Sequence, residues 1–419
     1  MSIVVTKRSP EVVSPSEPWT PTGDIHLSRF DKDARCVAVP LVLLFDKPIV
    51  DPVENIRRAL SRALVHYYPI AGRLAAGADG CEVITCAGEG HGVLLVAASA
   101  SCAVDALLRS SPPAVLSDLL VHYPEEARCR HADPLLLMQG KGFSCGGFAV
   151  GVTWNHVVAD GKGIGQFLQA VGELARGTSP PSIIPVRSDE SVLAAQPRGS
   201  FTTKDFSCVE HTEGMAFLDF TLPWRLISRV KALCTCTVLE AVVALVWQCR
   251  ARALIAAPDV DPVPATSLHL GCNVRGFVGA AGGYYGNCLV TTESVAAPSA
   301  EVANGDIIDV VKLIKIAKQN IQANVKSCSD PAPAVRHRVG YNTLVASSWR
   351  NIGLEEADFG GGRPARVIWY APKMTLPFFV LCPPWKGNDQ GVNVLGYIVK
   401  KEHVDAFMRE IGKGGERVN

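Results

Sequence analysis

Within Trp154-Asn155-His156-Val157-Val158-Ala159-Asp160-Gly161-Lys162-Gly163 an imidazole precedes a carboxylate by four residues. Histidine is the side chain whose ordinary pKa lets it take up a proton near neutral pH, so His156 is the candidate general base. The spacing carries little alone: with 10 histidines in the chain and about one Asp per twenty residues, roughly 0.5 such pairs arise by chance. The plain structural reading is a histidine satisfied by backbone groups at a strand end, with Asp160 capping a helix that begins near Lys162.

Two other spellings invite chemistry. Gly142-Phe143-Ser144-Cys145-Gly146 matches Gly-x-Ser-x-Gly, with Ser144 as nucleophile and His156 downstream. A nucleophile elbow needs a strand before the serine and a helix directly after it, whereas Gly146 to Trp154 reads as an apolar strand, so a serine hydrolase is the secondary reading. No metal is expected. His156 and Asp160 lack a third ligand at recognisable spacing, and Cys234-Thr235-Cys236 is too tight for the usual chelating pair.

The elements around these residues follow from periodicity. Phe148 to Trp154 is β-branched and aromatic, and the glycine-rich Gly161 to Gly165 leads into Phe167, Leu168, Val171 and Leu174 at helical spacing, so His156 lies just past a strand and ahead of a helix. Ile56, Leu60, Ala63, Leu64 and Tyr67 predict a helix over 55–68 that Pro69 ends, before Ala71-Gly72-Arg73-Leu74 turns into a strand. In the second half the pattern predicts a helix over 238–253, a strand over 267–273, a glycine-rich loop at 279–286 and a helix near 307–325. The stretch 177–207 is rich in Ser, Pro and charge with little periodicity. The division expected is an N-terminal domain over 1–180 carrying the His-x-x-x-Asp motif, a crossover linker over 181–215 and a C-terminal domain over 216–419.

Bulk properties narrow the function classes. Lys plus Arg number 41 against 40 Asp plus Glu, a balance that gives no field for a polyanion, so neither nucleic acid nor an anionic membrane is an expected partner. Hydrophobic residues make up 48% and charged ones 19%, which suits a folded globule. The 14 cysteines, Cys36 and Cys129 among them, are scattered without a Cys-x-x-Cys pair and read as reduced, mostly buried thiols. The segment Met1 to Pro10 has too short an apolar run for a signal-peptide core, and no run is apolar enough to span a bilayer, so a cytoplasmic location is the expectation.

Five segments, taken together, resemble the plant BAHD acyltransferases: Leu27-Ser28-Arg29-Phe30-Asp31, His66 to Leu74, His156 to Gly161, Tyr284-Tyr285-Gly286-Asn287, and Ala357-Asp358-Phe359-Gly360-Gly361-Gly362-Arg363-Pro364. They occur in family order over nearly the whole chain. The resemblance implies two chloramphenicol-acetyltransferase-like α/β domains with mixed sheets joined by a crossover loop, and a monomer. It implies acyl transfer from coenzyme A to an alcohol or amine in a ternary complex, with His156 as base, no permanently bound cofactor and acyl-CoA as co-substrate. A catalytically silent binding module on the same fold is the non-enzyme alternative, and retention of His156 and Asp160 argues against it.

The resemblance also implies that Asp160 is structural and pairs with an arginine of an Asn-x-Arg segment, here Arg275. Asp358, Phe359 and Gly360 match a second family signature that shapes the fold, with Gly361 where relatives carry tryptophan; the missing indole predicts a looser loop. Relatives that bind an acceptor carboxylate place an arginine where this chain has Asn351, with Arg350 one place earlier, so neutral alcohols and amines move ahead. Benzoyl and hydroxycinnamoyl groups are the expected acyl class on family frequency. Lys162, Arg363 and Lys373 are the cations considered for the coenzyme A phosphates, although for any one of them a solvated surface charge is the favoured reading. Trp154 is the tryptophan that the sequence places beside His156.

Overall fold

The computed structural model describes residues 5–35, 37–86, 91–109, 112–124, 130–195, 212–256, 265–292, 295–326, 340–374 and 376–417. Residues 196–211 of the expected linker, and Cys36 and Cys129, lie outside them. The chain divides into two units. The first comprises 1–195, 278–288 and 349–372, and the second 196–277, 289–348 and 373–419. The contiguous halves expected from the sequence therefore need correction: 181–195 stays with the first unit, and two later segments return to it. The return is a matter of strand pairing, because Arg366–Trp369 adds antiparallel to Ala38–Phe45 at the sheet edge.

In the first unit the strands β1 (Val5–Lys7), β2 (Glu11–Val13), β4 (Ala38–Phe45), β7 (Val93–Ala100), β8 (Leu136–Phe143) and β9 (Phe148–Asn155) join Arg366–Trp369 in a mixed seven-stranded sheet. The order is β1-β7-β8-β9-β4, with β2 also on β7. A smaller sheet holds β3 (Gly23–His26), β5 (Arg73–Ala76) and β6 (Glu82–Cys86). Every residue of β9 is buried, which explains its continuous apolar run in place of alternation. Among the described residues the same unit carries the α-helices α1 (Arg29–Asp33), α2 (Pro52–His66), α3 (Asp105–Arg109), α4 (Pro113–Asp118), α5 (Gly161–Ala175) and α6 (Glu190–Ala194). The apolar stripe of α2, Ile56, Ala59, Leu60, Ala63 and Leu64, is buried, and Pro69 then stands in a 3-10 turn at Tyr68–Ala71.

The second unit is built on its own mixed seven-stranded sheet, in which Ala265–Asn273 and Thr343–Ser348 pair in parallel and Met215–Pro223 and Gly391–Lys400 antiparallel. Its core helix Val238–Ile255 is buried almost throughout and is largely apolar, with Glu240, Gln248 and Arg250 as buried polar exceptions. A Thr237–Glu240 capping box starts that helix. Ile307–Lys326 matches the helix expected from periodicity. Among the described residues no single helix is long and apolar enough to cross a membrane, and no disulfide forms. Cys86, Cys249, Cys288 and Cys382 are buried, but Cys81 and Cys145 are exposed, so the expectation of mostly buried thiols needs correction.

Candidate active site

His156 follows the last residue of β9, where its main-chain N–H donates to Val37 O at 2.7 Å. The turn that presents it is tied on both sides. Asn155 Oδ1 accepts from Val157 N at 3.1 Å, and Trp154 Nε1 donates to Ala159 O at 2.9 Å. His156 keeps part of its surface open while Asn155, Val157 and Val158 are buried. Trp154 is only 1% exposed and packs near Trp349 at a ring separation of 6.3 Å. It is core that supports the turn.

The imidazole is held through Nδ1, which lies 2.9 Å from Asn287 Oδ1. Which atom donates follows from the far end of Asn287. Its Nδ2 faces Asp31 Oδ1 at 2.9 Å, His156 O at 2.8 Å and Val157 O at 3.2 Å, and an ionised carboxylate and two carbonyls can only accept. The amide nitrogen is therefore assigned to that side and Oδ1 to the histidine, so Nδ1 carries the hydrogen and Nε2 keeps a lone pair. Burial pulls the imidazole below the ordinary histidine pKa, outweighing the opposite pull of the Asp160 and Asp31 carboxylates. The ring is thus neutral near pH 7, as a proton acceptor must be.

Asp160 turns away from this task. It is the N-cap of α5: Oδ1 accepts from Gly163 N at 3.0 Å, and Oδ2 accepts from Cys288 N at 3.0 Å. One carboxylate thus starts the helix after His156 and fixes the residue after Asn287. Arg275 lies in the second unit, where its main-chain N–H donates to Asn273 Oδ1 at 3.0 Å and its guanidinium to the same oxygen at 3.4 Å.

Asn287, Asp31 and Arg187 are the residues that sequence reasoning left without a role. Asn287 and Asp31 fall in segments quoted for the resemblance, and the Ser28-x-x-Asp31 spelling is a capping box at α1. Arg187 gave no local signal. Its guanidinium Nη2 is 3.1 Å from Asp31 Oδ2, with side-chain exposures of 5% and 0%.

The second signature forms a pinned turn. Asp358 Oδ1 accepts from Gly360 N and Gly362 N, each at 2.8 Å. Arg176 donates to Asp358 O, and Phe359 packs edge-on against Phe45 at 5.4 Å. The looser loop expected from Gly361 is therefore corrected. A Cβ at Gly361 would meet Lys47 O at 3.1 Å and Ile49 Cγ2 at 3.2 Å, so a side chain there would press on the 47–49 segment. A groove of about 790 Å³ opens beside this turn, lined by Pro48, Asp51, Glu54, Arg58 and Gly360 among others, and shares no residue with the His156 network.

Ser144 is an exposed residue of the turn joining β8 to β9, closed by Phe143 N–H to Gly147 O at 2.9 Å. A hairpin turn running into an antiparallel strand is not a nucleophile elbow, and the hydrolase reading falls. Of the cations considered for phosphate, Arg363 pairs with Glu356 at 2.7 Å, and Lys162 and Lys373 are exposed. Asn351 adopts a left-handed backbone conformation with φ of 62°, and burial lowers the pKa of its neighbour Arg350. Among the described residues no three His, Cys, Asp or Glu side chains gather as metal ligands.

The imidazole is thus held at Nδ1 on an α/β unit with a mixed sheet. The Transferase family model matches residues 3–412, and the chain belongs to that family, the BAHD acyltransferases. It is 42% identical to Acyl transferase 15 of Oryza sativa subsp. japonica over 99% of both chains. It is 31% identical to Myricetin 3-O-glucosyl 1,2-rhamnoside 6'-O-caffeoyltransferase AT1 of Crocosmia x crocosmiiflora over 98% of this chain and 99% of the relative. The fold is that of vinorine synthase, with a TM-score of 0.71 at 18% identity over 96% of each chain.

Proposed function

We propose that the protein transfers an acyl group, of the aromatic benzoyl or hydroxycinnamoyl class, from coenzyme A to an alcohol or amine, with His156 as general base. The observation that carries the reading is the bond from His156 Nδ1 to Asn287 Oδ1 at 2.9 Å, which leaves Nε2 as the open lone pair. Nε2 takes the proton from the acceptor hydroxyl or amine as its oxygen or nitrogen attacks the thioester carbonyl. The tetrahedral oxyanion then collapses, the carbon–sulfur bond breaks, and the departing thiolate takes the proton back from the imidazolium. The aromatic acyl class is supported by family frequency and by the similarity to a caffeoyltransferase. A neutral acceptor is supported by the exposed Asn351 at the position where carboxylate-binding relatives carry arginine.

The test is release of free thiol by purified wild type and His156→Ala, with aromatic and aliphatic acyl-CoA donors against alcohols and amines. Thiol release that requires an acceptor and falls by roughly a hundredfold or more without His156 supports the reading. Donor consumption unaffected by His156→Ala, or none by the wild type, overturns it.

A further inference from the structure

The Asp31–Arg187 pair is buried at some cost, since both charges have left water, and α1 does not require it. The capping box of that five-residue helix is made by Ser28 and Asp31 Oδ2. Asp31 Oδ1 points elsewhere, accepting from Asn287 N at 3.2 Å and Asn287 Nδ2 at 2.9 Å. Arg187 is placed by the stretch that carries Asn287. Val186 N–H donates to Gly283 O at 2.9 Å, and Tyr285 N–H donates to Val186 O at 3.0 Å. Its Nε is buried without a hydrogen-bond partner among the described residues, so hydrogen bonding alone does not account for a guanidinium here. Its charge does, because it compensates the buried carboxylate of Asp31, which as an anion can only accept.

We propose that the buried Asp31–Arg187 ion pair is a positioning device that fixes the amide of Asn287 and, through it, holds His156 with Nδ1 protonated and Nε2 open. The inference rests on His156 acting as base. A primary amide has nearly the same shape in either orientation, so packing alone does not choose between them. Turning the amide over would set its nitrogen against Nδ1–H and its oxygen against Asp31 and two carbonyls. An ionised Asp31 makes that arrangement the costly one and keeps the hydrogen on the ring nitrogen away from the acceptor. Arg187 and Asp31 are positioning residues, since neither touches the reacting atoms.

The charges around the imidazole give the test its direction. Asp160 from the N-cap of α5 and Asp31 from α1 both favour the imidazolium, and Arg187, with Tyr284 and Tyr285 beside it, stands behind Asp31. Activity rises with pH as the imidazole loses its proton. Asp31→Asn removes a negative charge, so the acid limb of kcat/KM moves to lower pH, and kcat falls about tenfold or more as the amide lock loosens. Arg187→Met removes the positive charge and leaves the carboxylate uncompensated, so the limb moves to higher pH. Opposed shifts of about half a pH unit or more are expected. Limbs that stay at the wild-type pH while only the amount of active enzyme falls would show a merely structural pair and overturn the proposal.

A second measurement needs no variant of the pair to fold. Nitrogen-15 NMR of histidine-labelled wild type, with His156 assigned by the signal lost in His156→Gln, reads which ring nitrogen is protonated. Protonated Nδ1 with bare Nε2 is expected, and the opposite tautomer overturns the proposal. The two readings fail separately. A wild type that consumes no donor removes the acyl-transfer reading while the spectrum still tests the lock, and His156-dependent turnover with unshifted limbs removes the lock alone.

Discussion

Removing the Asp160 carboxylate separates a scaffold from a triad member. Asp160 is 3% exposed and accepts two backbone N–H bonds, from Gly163 and Cys288, each at 3.0 Å. In Asp160→Ala the first loss is a helix N-cap, worth about 1 kcal/mol. The second leaves the Cys288 N–H buried without its acceptor, at about 1–3 kcal/mol. The variant should therefore lose about 2–4 kcal/mol, seen as a fall of roughly 1 M in the urea midpoint followed by tryptophan fluorescence. Asp160→Asn keeps the shape and one of the two bonds and should fall between wild type and Ala.

Catalysis should respond differently. Asp160 favours the imidazolium, so its removal lowers the histidine pKa further, leaves the base neutral at pH 7 and moves the acid limb of kcat/KM to lower pH. At a temperature where Asp160→Ala stays folded, thiol release should lie within about tenfold of wild type, because the Nδ1 contact belongs to Asn287. A carboxylate that orients a catalytic histidine directly is worth about 10⁴ in kcat. A loss of that size in Asp160→Asn, with the urea midpoint unchanged, would refute the assignment.

Ser144→Ala should leave thiol release within about twofold of wild type, because the residue sits in an exposed hairpin turn and surface changes of this kind have small effects; loss of activity comparable to His156→Ala would restore the hydrolase reading. Lys141 is 1% exposed, and burial pushes its pKa down to about 8, with Asp118 O at 2.9 Å as hydrogen-bond acceptor. The folded state binds this proton less tightly than the unfolded state, so the penalty is fully present below about pH 8, fades as pH rises and is gone above the ordinary lysine value. Lys141→Met should raise stability by about 1–3 kcal/mol at pH 7 and by little at pH 10.5; denaturant curves for the two proteins that run parallel between those pH values would refute this.

The local parts of the fold were legible because local pattern carries them. The β9 strand, the turn at His156, α2 with its proline stop, and the core helix over 238–255 follow from apolar period and chain breakers within a dozen residues. The contacts that define the site are of another kind. His156 meets Asn287 across 131 positions and Asn287 meets Asp31 across 256, so no periodicity could join them, and Arg187 lies in a stretch that reads as linker. The same distance hid the unit boundaries, which depend on Arg366–Trp369 returning to β4.

The glycine run after His156 shows how a local signal can be read correctly as composition and still miss its purpose. Gly161 to Gly165 reads as a glycine-rich lead-in to a helix, and the helix runs through it from its Asp160 cap. What the glycines supply is close approach. A Cβ on Gly163 would fall 1.8 Å from Tyr285 O, and one on Gly172 would fall 2.5 Å from Asp358 O. Two segments far apart in sequence, one carrying Asn287 and the other opening the Asp-Phe-Gly turn, thus lie against the same helix where side chains are absent. Because Asp160 caps that helix and also binds Cys288, α5 sets where Asn287 stands relative to His156. The histidine motif, the Asn287 segment and the second signature are therefore one packing problem solved around α5, and the chemistry assigned to His156 depends on residues whose main task is to let backbone meet backbone.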